Sequence, residues 1–349
     1  MEMKAAVLYG PRDIRIEEIA TPEVGPGEVL LRVRACGICG TDLHDYKSGR
    51  SAGYDLPNGG VIMGHELSGE VAKLGKGVKG LKVGQHVLGW SFGGFAEYVK
   101  TPKADIPQYK QEDIGLPIPS NISFEEAATN EPLATSFHAV NLASPRNEDT
   151  IVVIGTGLIG LGVIQVLRSR CTARIIAISG SEKRLAMAKK MGADVVINRH
   201  QEDIFKALTR LTGSLRHPLY LADFPNFVNL TYCDIDTVFD CAGYQAQDKG
   251  PSPLLQAFYM VKFGGKVIEV AVFEKPVELD MGIVMVKEIE LKGSLGWNGS
   301  EFRQSFELMK SGKVDRKSLI THTFPLSKTK EAFETQLNTR EAVKVVIIP

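Results

Sequence analysis

A glycine-rich turn in the middle of the chain constrains the fold more than any other sequence feature. Three glycines spaced as G-x-G-x-x-G directly follow a short apolar strand at 150–154 and open a helical pattern that continues to residue 170. In this context the first glycine makes a tight turn, the second admits a pyrophosphate to the backbone, and the third lets helix and strand pack closely. The helix N-terminus then favours the anion. The sequence predicts dinucleotide binding at Gly155, Thr156, Gly157, Leu158, Ile159 and Gly160.

Strand and helix patterns alternate after this turn. The predicted strands cover 174–178, 195–197, 237–240 and 266–272, and the predicted helices cover 182–191, 201–211 and 253–261. This alternation predicts an α/β fold, a doubly wound parallel sheet with helices on both faces. The segment 213–232 fits neither pattern, and we interpret it as a surface excursion.

The first third of the chain has a different pattern of predicted elements. Short β-patterns at 12–19, 29–33, 61–71, 83–88 and 95–99 are separated by glycines. They predict an irregular, mostly antiparallel β-domain. We expect a catalytic domain at 1–144, a dinucleotide-binding domain at 145–295, and a return of the chain to the catalytic domain at 296–349, where helices at 301–311 and 328–339 precede a strand at 343–348.

Composition excludes several classes of protein. The 349 residues suggest about two domains. The 41 basic and 41 acidic residues leave no net charge to hold nucleic acid or an anionic membrane. No apolar run approaches the length of a membrane span, and the N-terminus lacks a signal-peptide pattern. Five cysteines, an odd number, argue against a disulfide framework and for a cytoplasmic setting.

Three short motifs together contain the residue types that bind zinc. They are Cys36-Gly-Ile-Cys39-Gly-Thr-Asp-Leu-His44, Gly64-His65-Glu66 and Glu131-Pro-Leu. A thiolate, an imidazole and a carboxylate suit zinc, and three protein ligands leave a fourth position for water or substrate. Taken singly, each residue could be an ordinary buried or surface group. Half a zinc ribbon is excluded, since the chain has no second CxxC to complete it.

With the glycine turn, these motifs make the chain resemble the zinc-containing medium-chain dehydrogenases, the alcohol, sorbitol, butanediol and threonine dehydrogenase group. The resemblance covers nearly the whole length. It is also carried by Gly27-Glu-Val29, Val83-Gly-Gln-His-Val87 and Gly94-Phe-Ala-Glu-Tyr98. It implies a GroES-like catalytic domain and a Rossmann dinucleotide domain. The chain departs from many members in lacking a cysteine-rich lobe after Val87, so we expect one catalytic zinc and no structural zinc.

The resemblance also implies roles for particular residues. Cys39 and His65 correspond to the constant zinc ligands, Glu66 to a carboxylate that ligates directly or exchanges with water, and Glu131 to a third ligand or water-holding carboxylate. Asp42 would orient His65. Thr41 would take the alcohol proton and pass it through the cofactor ribose to His44.

Cofactor preference depends on the end of the second strand of the dinucleotide domain. An acid there would bind the ribose of NAD and repel the 2′-phosphate of NADP. The chain has Ser179, followed by Ser181, Lys183 and Arg184, which slightly favours NADP. In the opposing interpretation Ser179 bonds the ribose of NAD and the cations face water. The resemblance adds Cys241, Val270, Val272 and Ser294 as cofactor-lining residues and Lys344 as a cation on the pyrophosphate, although Lys344 could equally be an exposed strand lysine.

We therefore expect a zinc-dependent oxidoreductase that moves hydride between a nicotinamide cofactor and a secondary alcohol, polyol or cyclic hydroxy compound. A homodimer or homotetramer is expected. Trp90, Phe92, Tyr46 and Trp297 either line the substrate cleft or belong to the core. The alternatives are a zinc-free quinone or enoyl reductase of the same superfamily and a nucleotide-binding protein without turnover.

Overall fold

The computed structural model describes residues 1–49, 53–57, 59–101, 115–216, 231–244, 248–338 and 341–349. These residues form two compact units. Unit 1 comprises Met1–Ala134 and Trp297–Pro349, and unit 2 comprises Thr135–Gly296. The boundaries expected from the sequence at 144 and 295 stay predictions.

Unit 1 is built mainly from β-strands. They are β1 (Glu2–Gly10), β2 (Asp13–Ala20), β3 (Val29–Gly37), β4 (Tyr54–Asp55), β5 (Val61–Ile62), β6 (Glu66–Leu74), β7 (His86–Trp90), β8 (Tyr98–Lys100) and β9 (Leu116–Pro117), then β18 (Ile320–Pro325) and β19 (Lys344–Ile348) near the end of the chain. One sheet has the order β2-β1-β5-β4, and a second has the order β18-β19-β3-β6-β7-β9 with β8 paired to β3. All pairs are antiparallel except β18 with β19.

The helices of unit 1 are short and mostly capped. They are α1 (Gly40–Ser48), α2 (Phe124–Ala128), the beginning of α3 (Asn130–Ala143), α9 (Gly299–Lys310), α10 (Thr329–Asn338) and two 3₁₀ turns, Lys317–Leu319 and Leu326–Lys328. In α2 and α9 the residues before the first turn, Ser123 and Asn298, exchange hydrogen bonds with the glutamate three positions on. Such reciprocal caps satisfy backbone groups that a helix start leaves unpaired. The sequence patterns did not indicate β1, β18 or α2; a helix beginning at Pro132 and capped by Glu131 was the structural alternative for that residue, and α3 begins two residues earlier.

Unit 2 contains a six-stranded parallel sheet. Its strands are β10 (Thr150–Ile154), β11 (Arg174–Ser179), β12 (Val195–Asn198), β15 (Thr237–Asp240), β16 (Lys266–Glu269) and β17 (Glu290–Gly293), in the order β12-β11-β10-β15-β16-β17. All of its pairs are parallel, as predicted. The central strand β10 is apolar from Ile151 to Ile154 because these four residues are buried between the layers on both faces of the sheet. The strand predicted to reach residue 272 ends at Glu269, since the N–H groups of Val270 and Ala271 both turn to the carbonyl of Asp240.

The remaining elements of unit 2 are connections around this sheet. They are the end of α3, then α4 (Leu158–Arg170), α5 (Glu182–Lys190), α6 (Ile204–Thr212), α7 (Pro253–Met260), α8 (Met281–Val286) and an antiparallel hairpin of β13 (Ser214–Arg216) with β14 (Thr231–Cys233). Most of the excursion expected at 213–232 lies outside the described residues, and the hairpin marks its two ends. No helix among the described residues is long and apolar enough to cross a membrane.

The chain order of the sheet defines a switch point. From β10 the chain moves outward through β11 and β12, and it later continues from β15 on the opposite side of β10. The connections after β10 and β15 therefore lead to opposite sides of the sheet. In doubly wound sheets ligands bind at the carboxyl ends of the strands beside such a switch point.

Candidate functional site

Three of the predicted zinc ligands converge in unit 1. The ligand atoms of Cys39, His65 and Glu66 all lie within 4.8 Å of one another. The register of the sheet explains this convergence, because Gly37 in β3 is paired with Glu66 in β6. Cys39 follows two residues after Gly37, and His65 directly precedes Glu66, so antiparallel pairing brings both turns to the same end of the two strands.

Asp42 holds the two ligand-bearing turns together. Its side chain is buried, and its Oδ2 accepts a hydrogen bond from the Cys39 N–H at 2.8 Å. Its Oδ1 accepts one from the Gly64 N–H at 3.3 Å and lies 3.8 Å from Nδ1 of His65. Because Nδ1 faces this carboxylate, Nε2 is the imidazole atom left to face a metal.

The electrostatics of the site suit a cation. Burial alone lowers the pKa of the His65 imidazole, but the negative charges of Cys39, Asp42 and Glu131 outweigh burial and raise that pKa well above its usual value. An environment that binds a proton this strongly on a histidine also stabilises a divalent metal in its place. The thiolate, imidazole and carboxylate together therefore fit zinc.

The Glu66 carboxylate, besides lying near Cys39 and His65, forms an ion pair with the ammonium group of Lys344. Both side chains of the pair are 1% exposed, and Lys344 Nζ also donates to the Ile38 carbonyl at 2.7 Å. Lys344 begins β19, so β3 lies between the two strands that carry the pair. The two side chains meet over Gly37, where an added Cβ would overlap Glu66 Oε2 and lie 2.6 Å from Lys344 Cε.

The position of Lys344 can be compared with the two roles that the sequence analysis considered for it, a cation on the pyrophosphate and an exposed strand lysine. The resemblance assigns it to a pyrophosphate, whereas in the structure its charge is used inside unit 1 as the counter-ion of Glu66. It is also not an exposed strand lysine. Gly37 was missed from the sequence, although a glycine two residues before a candidate cysteine ligand was a visible signal.

Glu131 lies outside the group formed by the other three ligand candidates. Its carboxylate is buried and accepts a hydrogen bond from the Trp297 indole N–H at 2.8 Å. Burial raises the pKa of this carboxyl, while the charge of His65 opposes the shift. Helix α3 begins at Asn130, so Glu131 lies within its first turn and is not its N-cap residue.

Aromatic rings extend from His65 toward Glu131. Phe92 lies 6.0 Å from the His65 ring, Trp90 lies 5.5 Å from Phe92, and Trp297 lies 6.2 Å from Trp90, all between ring centroids. We refer to Trp90, Phe92 and Trp297 as the aromatic wall. Tyr46 does not belong to it, because its ring is fully buried against Phe333 in the core.

The two residues expected to move protons share one helix. Thr41 is exposed and His44 is partly buried, and both lie in α1 directly after Cys39. Residues three apart on a helix lie on the same side, so the hydroxyl and imidazole are neighbours on its surface.

In unit 2 the glycine turn has the geometry expected of an anion-binding loop. Gly155 has φ +93°, and a Cβ there would lie 2.7 Å from the Ala242 N–H nitrogen. Gly157 precedes the first residue of the 13-residue helix α4, and a Cβ on it would meet nothing within 4 Å. The backbone at Gly157 is therefore open to a ligand at the helix N-terminus.

The other predicted cofactor residues of unit 2 follow the carboxyl ends of neighbouring strands. Ser179 ends β11, and the remaining positions come directly after β15, β16 and β17; they are Cys241, Val270, Val272 and Ser294. Since the sheet is parallel, all of them share the edge that carries the glycine turn. Lys344 is in unit 1 and is not among them.

The end of β11 carries more cationic groups than the sequence patterns indicated. Ser179 Oγ accepts from the Ser181 N–H at 3.4 Å, and Ser181 in turn caps α5 by accepting from the Arg184 N–H at 3.4 Å. Lys183 is exposed. Arg199 and His200 follow the neighbouring strand β12, and a Cβ at Gly180 would lie 3.2 Å from Arg199 Nε and overlap the His200 ring. Their position just after a predicted strand was the signal that could have identified them.

Known proteins resemble the chain over its full length. The family model "Alcohol dehydrogenase GroES-like domain" matches residues 25–111, and "Zinc-binding dehydrogenase" matches 159–311. Sorbitol dehydrogenase of Bacillus subtilis is 30% identical, covering 99% of this chain and 97% of the relative. (R,R)-butanediol dehydrogenase of the same organism is 29% identical, covering 99% and 100%. The crystal structure of 2R,3R-butanediol dehydrogenase from Bacillus subtilis has a TM-score of 0.80 at 28% identity and covers 99% of both chains.

These similarities, the β-rich unit and the parallel-sheet unit define the class of protein. The chain belongs to the zinc-containing medium-chain alcohol and polyol dehydrogenases, and it is an oxidoreductase acting on CH–OH groups. The family resemblance and the two-part fold expected from the sequence are thereby confirmed. The roles of individual site residues stay predictions.

Replacing Lys344 with Met should destabilise the protein by about 3–5 kcal/mol, because the buried Glu66 carboxylate would lose its ion-pair partner and keep only the weaker interaction with the buried Arg316 guanidinium. Denaturant unfolding measures this loss. Lys328→Met is the matched control, since it removes a lysine paired with Glu331 at 3.1 Å on the surface. Exposed pairs contribute only about 0–1 kcal/mol. If Lys344→Met instead left stability unchanged and only weakened cofactor binding, the pyrophosphate role would hold and the counter-ion role would be wrong.

Proposed function

We propose that the chain transfers hydride between the carbinol carbon of a secondary alcohol, polyol or cyclic hydroxy compound and a nicotinamide dinucleotide. A single zinc ion would be held by Cys39, His65 and Glu66, with Glu131 as a further ligand or water-holding carboxylate. The convergence of Cys39, His65 and Glu66 is the observation that carries this proposal. Neither alternative needs it, because a zinc-free reductase and a protein without turnover would have no use for three clustered ligands.

Zinc, when bound, supplies Lewis acidity that makes an alcohol hydroxyl more acidic. The residues of the chain itself would orient the ligands, balance their charge and move the proton. Asp42 fixes the His65 ring, and Lys344 offsets one of the negative charges that the ligands bring together. The Thr41 hydroxyl would accept the alcohol proton as it gives up its own, and the His44 imidazole would release a proton to water, with the ribose of a bound cofactor supplying the link between them.

The aromatic wall indicates which alcohols the site would prefer as substrates. Phe92 is 40% exposed, and Trp297 is held in place by stacking on Phe302 at 4.3 Å and by its hydrogen bond to Glu131. Aromatic faces gain most from apolar contact. Among the substrates that name the relatives, butane-2,3-diol offers methyl groups to such a wall, whereas sorbitol carries a hydroxyl on every carbon and has no methyl group. We therefore expect short diols and cyclic alcohols to be oxidised faster than sorbitol.

A panel of alcohols assayed with NAD and NADP at 340 nm tests the proposed reaction. The panel contains butane-2,3-diol, cyclohexanol and sorbitol, and the reverse reaction is followed with the corresponding ketones. Turnover of a quinone or an enoyl compound, unaffected by removal of metal, would favour the zinc-free alternative. Absence of turnover with every compound, together with tight cofactor binding, would favour the non-catalytic one.

Replacing Cys39 with Ala should reduce the zinc content from one ion per chain to nearly none and abolish turnover. Cofactor binding should remain, because the dinucleotide residues lie in unit 2. Elemental analysis and cofactor fluorescence measure the two effects. The control is Cys171→Ala, which removes a buried cysteine of unit 2. Two tightly held zinc ions per chain, or full activity of Cys39→Ala, would contradict the proposal.

Replacing Glu131 with Ala should lower metal affinity or turnover by about 10–100-fold, the usual cost of losing a ligand or its outer partner. Trp297→Phe is the companion variant, since it keeps an aromatic ring and removes only the indole donor to Glu131. We expect it to show a smaller loss in the same direction. Normal kinetics of Glu131→Ala with slightly reduced stability would assign this residue to structure alone.

We propose a preference for NADP. Ser179 occupies the position where an acid would repel a 2′-phosphate; Lys183 and Arg184 follow it in the chain, and Arg199 and His200 lie beside the neighbouring Gly180. Each would attract the phosphate more strongly than a ribose hydroxyl.

Replacing Ser179 with Asp should move the preference toward NAD by roughly ten- to hundredfold, because a charged hydrogen bond contributes about 1.5–3 kcal/mol and the phosphate would meet a like charge. The ratio of kcat/KM for the two cofactors measures this shift, with Ser169→Asp on α4 as a control for added charge. A tenfold preference of the unmodified protein for NAD would overturn the proposal.

We also propose that the chain forms a homodimer or homotetramer and that it works in the cytoplasm. Strand β17 ends the parallel sheet, and several apolar side chains in and around it are exposed, including Met281, Met285, Leu291 and Leu295. An exposed apolar patch beside a strand edge is typical of a subunit interface. All five cysteines are unpaired, which suits a reducing compartment. Light scattering of the purified protein tests the oligomeric state.

A further inference from the structure

Two carboxyl groups meet inside unit 2 at the end of the parallel sheet. Asp240 is the last residue of β15 and Glu269 the last residue of β16, and the two are register partners. Asp240 is fully buried and Glu269 is partly buried. One buried oxygen of each carboxyl, Asp240 Oδ2 and Glu269 Oε2, has no hydrogen-bond donor among the described residues, so a proton shared between the two neighbouring carboxyls would satisfy both. No sequence motif indicated this pair.

Each carboxyl also fixes the loop that follows its strand. Asp240 Oδ1 accepts hydrogen bonds from the N–H groups of Ala242 at 2.9 Å and Gly243 at 3.3 Å. Glu269 Oε1 accepts one from the Ala271 N–H at 2.9 Å. Each carboxyl therefore fixes the start of one loop, in addition to the backbone hydrogen bonds from Val270 and Ala271 to the Asp240 carbonyl that join the two loops.

The first of these loops packs directly against the glycine turn. A Cβ on Gly155 would lie 2.7 Å from the Ala242 nitrogen, and one on Gly160 would lie 3.4 Å from Cβ of Cys241. Strand β15, which carries Asp240, borders the switch point of the sheet beside β10. Movement of this loop would therefore move the backbone that the sequence assigns to the pyrophosphate.

The surroundings of the two carboxyls favour a shared proton. Burial and the charge of Asp240 raise the pKa of Glu269 to about 9, and burial also raises the pKa of Asp240. The register neighbours on the flanking strands, Ile154 in β10 and Gly293 in β17, cannot titrate. Among the described residues the other titratable group that interacts with the pair is Cys241, whose own pKa burial and the two carboxyls raise.

We propose that Asp240 and Glu269 are positioning residues of the dinucleotide site, and that the proton they share holds the loops after β15 and β16 in the arrangement that admits the cofactor. This inference rests on the proposed nicotinamide function. With the proton the pair carries one negative charge. Without it, two adjacent carboxylates repel each other and release the loops, and they also repel the pyrophosphate.

Cofactor affinity should consequently fall above about pH 9. Binding of an anion favours the protonated pair, so the Kd should rise by up to tenfold per pH unit once the proton is lost. In Glu269→Gln the amide can donate to Asp240 and its oxygen can accept from Ala271, and an amide hydrogen that does not titrate replaces the shared proton. We expect this variant to bind NADPH at neutral pH within a few-fold of the unmodified protein and to keep that affinity to pH 10.

NADPH and NADH fluorescence titrations between pH 6 and pH 10 measure the Kd. The matched control is Glu202→Gln, which removes a carboxylate from the surface of unit 2 and should follow the unmodified protein. Parallel profiles for the unmodified protein and Glu269→Gln would overturn the proposal. Asp240→Asn tests the same proton from the other side and should also flatten the profile.

A second measurement needs no cofactor. A carboxyl whose pKa is about 4.5 in the unfolded chain and about 9 in the folded protein makes the folded state bind more protons between these values. The stability of the unmodified protein therefore falls as pH rises from about 5 to 9. Glu269→Gln lacks this group. The melting temperature of the variant minus that of the unmodified protein should therefore increase steadily as pH rises over the same range.

The two measurements separate failure of the inference from failure of the proposed function. A constant difference in melting temperature from pH 5 to 9 would show that no proton is shared and would overturn the inference alone. A growing difference together with no cofactor binding at any pH would overturn the proposed cofactor, and the positioning role with it. A growing difference together with a pH-dependent Kd that Glu269→Gln abolishes is the result we expect.

Discussion

Glu66 and Lys344 form a buried ion pair over Gly37, and the arrangement of the candidate metal site depends on it. The pair joins β6 to β19 across the strand between them, so it fixes three strands at the end where Cys39 and His65 lie. A buried carboxylate without this ammonium would be costly. The same carboxylate is then available to a metal with part of its charge already balanced.

The two units differ in how much negative charge lies at their candidate ligand sites. In unit 1 the thiolate and carboxylates gather around His65, and the surplus of negative charge is what a divalent cation would neutralise. In unit 2 the ligand would itself be an anion, and the two carboxyls beneath the loops would reduce their negative charge from two to one by sharing a proton. Negative charge is thus concentrated where a cation is proposed to bind and lowered where an anion is proposed to bind.

Much of this could be predicted from the sequence, and the reasons differ between residues. The glycine turn and β10 depend on neighbouring residues, so Gly155–Gly160 were identified together with their strand and helix. Cys39, His65 and Glu66 were identified from their family motifs. Gly37, Arg199 and His200 were missed, because their importance comes from what lies opposite them in space. Strand β1 was missed as well, although its apolar residues form part of the core.

The sequence by itself determined the class of fold, the glycine turn and the chemical types of the ligands, because these depend on local pattern and on residue identity. Tertiary structure decided which charges meet. Lys344 is 278 positions from Glu66 in the chain, and only the order β19-β3-β6 brings them together. In the same way, only the register of β15 with β16 places Asp240 beside Glu269. Pairing between strands is non-local, so no stretch of sequence contains it.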